Sequence, residues 1–171
     1  TGDEFAPFIH ADNQTLYFSS DHHLGMGGQD IFMTKKIGDN QWSKPQNLGY
    51  PINKHTDEIG LFIDAPGEYA YFASDDNQDR RSIFRFAVPE SIKPQYVSYV
   101  RVFVKDKESY EPLRAEVNLF DIETNETIVD LKAEGSDGSA LVSLPGDNRY
   151  GMMVEKQGYM FYSGHFDLKS K

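Results

Sequence analysis

The sequence contains no cysteine, which removes disulfides, thiolate nucleophiles, zinc fingers and iron–sulfur ligation at once while leaving the compartment open. It has no apolar run near the roughly 20 residues of a membrane-crossing helix, so no direct membrane span is expected, and Thr1-Gly2-Asp3-Glu4 is not a signal peptide. Positive charge is also scarce. Lys and Arg number 17 against 27 Asp and Glu, a formal net charge of −10. The deficit is spread along the chain, with 8 basic and 14 acidic residues in 1–95 and 9 and 13 in the remainder. A duplex-binding surface needs clustered cations to displace counterions. Here Lys35-Lys36 and Arg80-Arg81 are flanked by acids and read as solvated strand ends, so no nucleic-acid partner is expected. Disorder is equally disfavoured, because 10 Tyr and 12 Phe recur throughout the 171 residues.

An internal repeat organises the first half. Asp3-Glu4-Phe5-Ala6-Pro7-Phe8-Ile9 returns as Asp57-Glu58-Ile59-Gly60-Leu61-Phe62-Ile63, and Tyr17-Phe18-Ser19-Ser20-Asp21 returns as Tyr71-Phe72-Ala73-Ser74-Asp75, at a constant offset of 54 residues. Asp30-Ile31-Phe32 then matches Ser82-Ile83-Phe84 at an offset of 52, so the second copy is two residues shorter. Within each copy, runs of Tyr, Phe and Ile alternate with Gly, Asn and Asp clusters, the pattern of short strands joined by tight turns. Strands are expected at 5–9, 15–19, 31–36 and 41–47, four per copy, with no helix anywhere. Phe8, Phe18, Phe32, Phe62, Phe72 and Phe84 stand at repeated positions and are expected in the core.

These residues carry a resemblance. The loop Gly25-Met26-Gly27-Gly28-Gln29-Asp30-Ile31-Phe32 and the segment Trp42-Ser43-Lys44-Pro45-Gln46-Asn47-Leu48-Gly49-Tyr50-Pro51-Ile52-Asn53 resemble TolB-type β-propeller repeats as they occur in OmpA-family envelope proteins of Bacteroidetes. The resemblance implies two four-stranded blades, 3–53 and 57–87, within a partial propeller spanning 1–88. The second copy departs from the pattern: residues 77–82 replace the glycine loop, and no Trp-Ser-x-Pro strand follows Phe86. Two blades do not close a ring, since propellers use at least four. The sequence therefore reads as a fragment of a larger protein.

Pro89 and Pro94 interrupt the strand pattern, so 89–95 is expected to be a linker. From Tyr96 alternation resumes, with Val97, Tyr99, Arg101 and Phe103 on one face and Ser98, Val100, Val102 and Val104 on the other. Further strands are expected at 115–121, 127–132, 139–144, 150–156 and 161–166, a spacing that fits a β-sandwich. Pro112-Leu113-Arg114-Ala115-Glu116-Val117, Ser136-Asp137-Gly138 and Lys156-Gln157-Gly158-Tyr159 make 96–171 similar to the carboxypeptidase regulatory-like, transthyretin-like domain. The expected fold class is thus all-β throughout.

Reactive constellations are weak. The Gly25–Gly28 loop precedes a strand, whereas phosphate loops open a helix; a turn needing positive φ, with Asp21 and Asp30 bonding its backbone, is the preferred reading. Adjacent His22 and His23 on an extended chain point to opposite faces and rarely share one ion. The Asp57-Glu58 pair recurs as Asp3-Glu4, which a unique active site would not require; these residues, with Asp21, Gly27, Gly28, Asp30 and Asp75, are assigned to repeat turns and inter-blade ties. Gly135-Ser136-Asp137-Gly138 is a hairpin-like turn and not a nucleophile elbow. No catalytic residue, metal site or cofactor is expected. Trp42, Tyr50, Tyr159, Phe161 and Tyr162 are less constrained by the repeat and form the expected interaction surface. The resemblance implies a periplasmic, outer-membrane-associated scaffold with envelope-protein partners, possessing a link to type IX secretion and reaching peptidoglycan only through a domain outside this sequence. The alternatives are a carbohydrate-binding module and an enzyme or its accessory lid.

Overall fold

The structure is a computed structural model that describes residues 2–75 and 80–168. Residues 76–79, which hold Asp76 and the first half of the second copy's substitute for the glycine loop, lie outside the described residues. The chain is all-β and divides into two compact units, Thr1–Val97 and Ser98–Lys171.

In the first unit the first copy forms β1 (Glu4–Ile9), β2 (Thr15–Ser20), β3 (Asp30–Gly38), β4 (Gln41–Trp42) and β5 (Gln46–Asn47), an antiparallel sheet ordered β1-β2-β3-β4 with β5 also on β3. The second copy forms β6 (Glu58–Ile63), β7 (Tyr69–Asp75) and β8 (Arg81–Ala87), ordered β6-β7-β8. The copies share a detail that sequence identity does not reveal. Each first strand carries a β-bulge at the same repeat position, between Phe5 and Phe8 and between Ile59 and Phe62. Ala6 and Gly60, at φ 44° and 72°, occupy the bulges.

Register fixes which residues share a face. Tyr17 pairs with Phe8 and Met33, and Ser19 with Ile31, so Phe8, Tyr17, Ile31 and Met33 line one face of the first sheet. That face packs against Leu61, Ile63, Ala70 and Phe72 of the second copy, in one buried cluster that also takes Ile52, Val88 and Ile92. Burying each such side chain contributes about 1.5–3 kcal/mol, so the contact between copies is the main source of this unit's stability.

Four expectations change. The strand expected at 41–47 is two short pieces separated by Ser43-Lys44-Pro45, because proline has no N–H for the ladder. The second copy has three strands among the described residues, not four. The segment 89–95 is no free linker: it contains a 3-10 turn at Glu90–Ile92, its Ile92 is buried, the Tyr17 hydroxyl donates to the Ile92 carbonyl at 2.7 Å, and the Gln95 amide donates to Asp12 at 2.9 Å. Finally, Phe62 and Phe84 are 52% and 38% exposed. They are second-copy counterparts of half-buried Phe8 and buried Phe32, and repetition in sequence did not confer equal burial.

In the second unit β9 (Val97–Phe103), β10 (Ala115–Asp121), β11 (Thr127–Ala133), β12 (Ser139–Pro145), β13 (Arg149–Glu155) and β14 (Tyr162–Asp167) form a four-stranded sheet, β11-β10-β13-β14, and a two-stranded sheet, β12-β9. The alternation in β9 sends Val100 and Val102 inward, followed by Val104 just past its end. They join Val117, Leu119, Leu144 and Tyr150 in a core drawn from both sheets.

Candidate functional site

The most apolar concavity of the second unit lies beside β14. The chain leaves β13 and turns at Lys156–Tyr159, where the Tyr159 amide donates to the Lys156 carbonyl at 3.1 Å. Gly158 supplies the left-handed conformation of that turn, φ 86°. Tyr159, Met160 and Phe161 follow, and Tyr162 opens β14 opposite Val154. Across from them stand Val102 and Phe103 of β9 and Val104 just after it, with Leu113 and Met152 also lining a groove of about 580 Å³. Met160 is 93% and Phe161 66% exposed. Exposed aromatics and methionine gathered in one concavity form a surface suited to apolar side chains.

The rim is charged and internally ordered. Lys156 Nζ donates to the Arg114 carbonyl at 2.9 Å and lies 6.0 Å from the Tyr159 ring centroid, a cation–π contact that steadies the ring. Asp106 accepts the amides of Ser109 and Glu108 at 2.8 and 2.9 Å. The Ser109 amide, then that of Glu108, hold the Asp106 carboxyl below the usual carboxylate range. Lys105, Lys107 and Glu108 complete the rim. β14 is an edge of its sheet, so one row of its backbone groups has no strand beside it in that sheet.

Of the five residues expected to form one surface, Tyr159, Phe161 and Tyr162 meet in this groove. Trp42, in β4, and Tyr50, which precedes the cis-proline Pro51, are exposed in the other unit. Met160, within the same run from Tyr159 to Tyr162, lines the groove too, and Phe103 was missed. The sequence held a signal for Phe103, because it sits on the outward side of an otherwise valine-lined strand.

The repeat-turn residues form a polar seam between the two copies. The Asp57 carboxylate accepts the Gln29 amide at 2.8 Å, and the Glu58 amide donates to the Gln29 carbonyl at 2.7 Å. Glu58 is fully buried and accepts from the Lys54 amide at 2.9 Å and the hydroxyls of Thr56 and Ser74 at 2.6 and 2.9 Å. Its counterpart Glu4 is exposed. Asp75 takes Arg81 in a bidentate pair at 2.8 and 3.1 Å.

Two local readings are corrected. Asp30 accepts the Met26 amide and the Asn47 side chain, but Asp21 accepts the Asp3 amide instead of a loop amide. Gly25, Gly27 and Gly28 do not have positive φ. They are required by close approach: a Cβ on Gly27 would lie 2.5 Å from the Thr56 carbonyl oxygen and 2.6 Å from that of Lys54, and one on Gly28 would strike the Asp57 carboxylate. Gly27→Ala is therefore expected to destabilise the first unit by about 2 kcal/mol or more. A urea titration followed by Trp42 fluorescence checks this, since Trp42 is the only tryptophan and lies in that unit; an unchanged midpoint would refute it.

His22 and His23 have ring centroids 5.6 Å apart, and His23 lies against Phe32 at 5.2 Å. Among the described residues no three His, Asp or Glu side chains are grouped as a metal site. Compared with known proteins, the chain matches no family model and no curated sequence.

Proposed function

We propose that this chain is a non-catalytic protein-binding scaffold whose second unit receives an extended, apolar segment of a partner along β14. One observation carries the reading: an edge strand runs directly out of an exposed cluster of Phe103, Tyr159, Met160, Phe161 and Tyr162. Strand addition uses such a pair of features. Backbone hydrogen bonds along the edge supply affinity, and a neighbouring groove selects alternate side chains of the incoming strand.

The same proposal takes the first unit as two propeller-type blades, supported by the matched antiparallel order and the shared bulge, and the second as a transthyretin-like β-sandwich, supported by a core drawn from two sheets. By resemblance, the setting is the periplasmic side of an outer membrane, in an OmpA-family protein with a role in type IX secretion. The partners are then envelope proteins, and contact with peptidoglycan belongs to a domain outside this sequence.

Photo-crosslinking from position 160 in cells that make the protein tests the reading. An envelope protein is expected to crosslink, and Phe161→Asp is expected to weaken its binding by tenfold or more, roughly 1.4 kcal/mol or above. Crosslinks unaffected by Phe161→Asp would reject the groove. Glycan-array binding lost on Trp42→Ala or Tyr159→Ala would instead establish a carbohydrate-binding module.

A further inference from the structure

Two adjacent strands of the second unit carry a glycine in their interior, Gly151 in β13 and Gly164 in β14. A strand glycine forgoes side-chain packing and often marks a place where another group comes close. Gly151 has its group. It pairs directly with Phe120 of β10, and a Cβ on Gly151 would strike the Phe120 ring. An aromatic on the neighbouring strand thus fills the space the glycine leaves.

Gly164 lies on the edge strand, so no strand of the described residues stands beside it on the outer side. Tyr162, two residues earlier on the same strand and face, stands in for one. A Cβ on Gly164 would fall 2.9 Å from the Tyr162 hydroxyl oxygen and 3.1 and 3.3 Å from two carbons of its ring. The ring is 58% exposed.

Backbone direction fixes what an added strand would meet. The Leu168 amide donates to the Asn148 carbonyl. By antiparallel alternation Gly164 and Phe166 then bond to β13, while the amides and carbonyls of Ser163 and His165 face the open edge. A strand added antiparallel, as every strand of this sheet is paired, bonds to Ser163 and His165. Its residue opposite Gly164 falls in a pair without hydrogen bonds, where the Cα atoms approach to about 4.5 Å. That side chain lies on the core face, which Gly164 shares with its partner Met152 and Tyr162 with Val154.

We infer that the segment received along β14 carries an aromatic residue opposite Gly164, in the place now held by the Tyr162 ring, with apolar residues two positions to either side. The inference rests on the strand addition proposed above and names what that edge selects. The aromatic covers Gly164 as Phe120 covers Gly151, and the apolar residue opposite Tyr162 reaches the groove. Alanine in place of the aromatic leaves the glycine uncovered.

Random twelve-residue peptides displayed on phage and selected on the whole chain test it. Enriched peptides are expected to hold Phe, Tyr or Trp at one position of an alternating apolar pattern, and to bind tenfold or more weakly when that aromatic becomes alanine. Gly164→Val should abolish this tenfold difference, because its side chain fills the space the aromatic takes. Valine suits a strand, and the atoms it meets belong to the exposed Tyr162 ring, which can turn outward, so the variant is expected to keep the wild-type melt by far-ultraviolet circular dichroism. Gly164→Ala, a smaller intrusion, should reduce the difference in part. Peptides weakened by Phe161→Asp that carry no fixed aromatic, or whose aromatic counts equally in wild type and both Gly164 variants, overturn this inference and leave the groove standing. Selection of no peptide, or of peptides indifferent to Phe161→Asp, overturns the strand addition with it.

Discussion

Asn53→Ala should cost the first unit about 2–3 kcal/mol. Asn53 is fully buried, and its side chain acts as a strand one residue long. The side-chain oxygen accepts the Ile31 amide at 2.8 Å, and the side-chain nitrogen donates to the Ile31 carbonyl at 2.8 Å and to Asn47 at 2.8 Å. Alanine would leave the buried Ile31 amide without that partner, which costs about 1–3 kcal/mol, and would remove one of two donors from the Ile31 carbonyl, which keeps the Leu48 amide at 3.1 Å. Asn53→Asp should be no better, because a carboxylate replaces the donor and faces the Ile31 carbonyl. The measurement is urea unfolding followed through Trp42. A loss below about 1 kcal/mol for Asn53→Ala would show that water or a shifted backbone replaces the amide.

The second large effect is pH-dependent. Asp12 is buried and accepts the amides of Gln14 and Thr15 at 2.9 Å each, the Thr15 hydroxyl at 2.8 Å and the Gln95 amide at 2.9 Å. Burial raises its pKa, but the amides of Gln14 and Thr15 and the Thr15 hydroxyl outweigh burial and hold the carboxyl well below its ordinary value of 3.8. A carboxylate depressed in the folded state contributes stability that is present above the unfolded value and lost as pH falls through it toward the folded one. The first unit should therefore weaken steeply below about pH 4. Asp12→Asn should remove about 2–3 kcal/mol at pH 7, since its amide nitrogen would confront donors, and flatten the acid limb. Parallel acid limbs for wild type and variant would show that other carboxylates govern acid unfolding.

His10 belongs to the same knot. Its Nδ1 accepts the Asp12 amide at 3.1 Å, so its proton is on Nε2, which donates to the Asp64 carbonyl at 3.1 Å. Asp64 is the second-copy counterpart of His10. The two hairpin turns are thus joined to each other, and Tyr17, whose hydroxyl burial and the nearby Asp12 charge keep protonated far into alkali, ties both to Ile92.

The strands were legible because period-2 alternation and turn residues are local signals: the observed β1, β2, β10 and β12 begin and end within a residue or so of the expected ranges. What eluded sequence reading depended on neighbours. Phe62 and Phe84 repeat half-buried Phe8 and buried Phe32, yet exposure depends on what distant residues lie over each ring, as His23 lies against Phe32, which no local pattern encodes. The glycine loop illustrates a different limit. Composition shows that side chains are unwelcome at 25, 27 and 28, but at Gly27 the reason, carbonyls of Lys54 and Thr56 pressed against it, lies 27 or more residues away. Asn53 reads as an ordinary turn residue until Ile31 is placed beside it. At the candidate site, Tyr159, Phe161 and Tyr162 could be found as aromatics not required by the core, whereas Phe103 joins them only once β9 and β14 are placed in space.

The path of the chain from Val88 to Gln95 bears on how the first unit is made. Tyr17 and Asp12 obtain partners from Ile92 and Gln95, 75 and 83 residues further along, so the hairpin of β1 and β2 remains incomplete until those residues have been made. Loop-closure entropy must be met before such distant contacts return any stability. A nascent chain that has emerged only through the first copy carries the apolar face of Tyr17, Ile31 and Met33 uncovered, the condition in which partly made β proteins aggregate. Folding of this unit is accordingly tied to the appearance of its last segment, and the interval between first strand and closing segment is its period of greatest exposure.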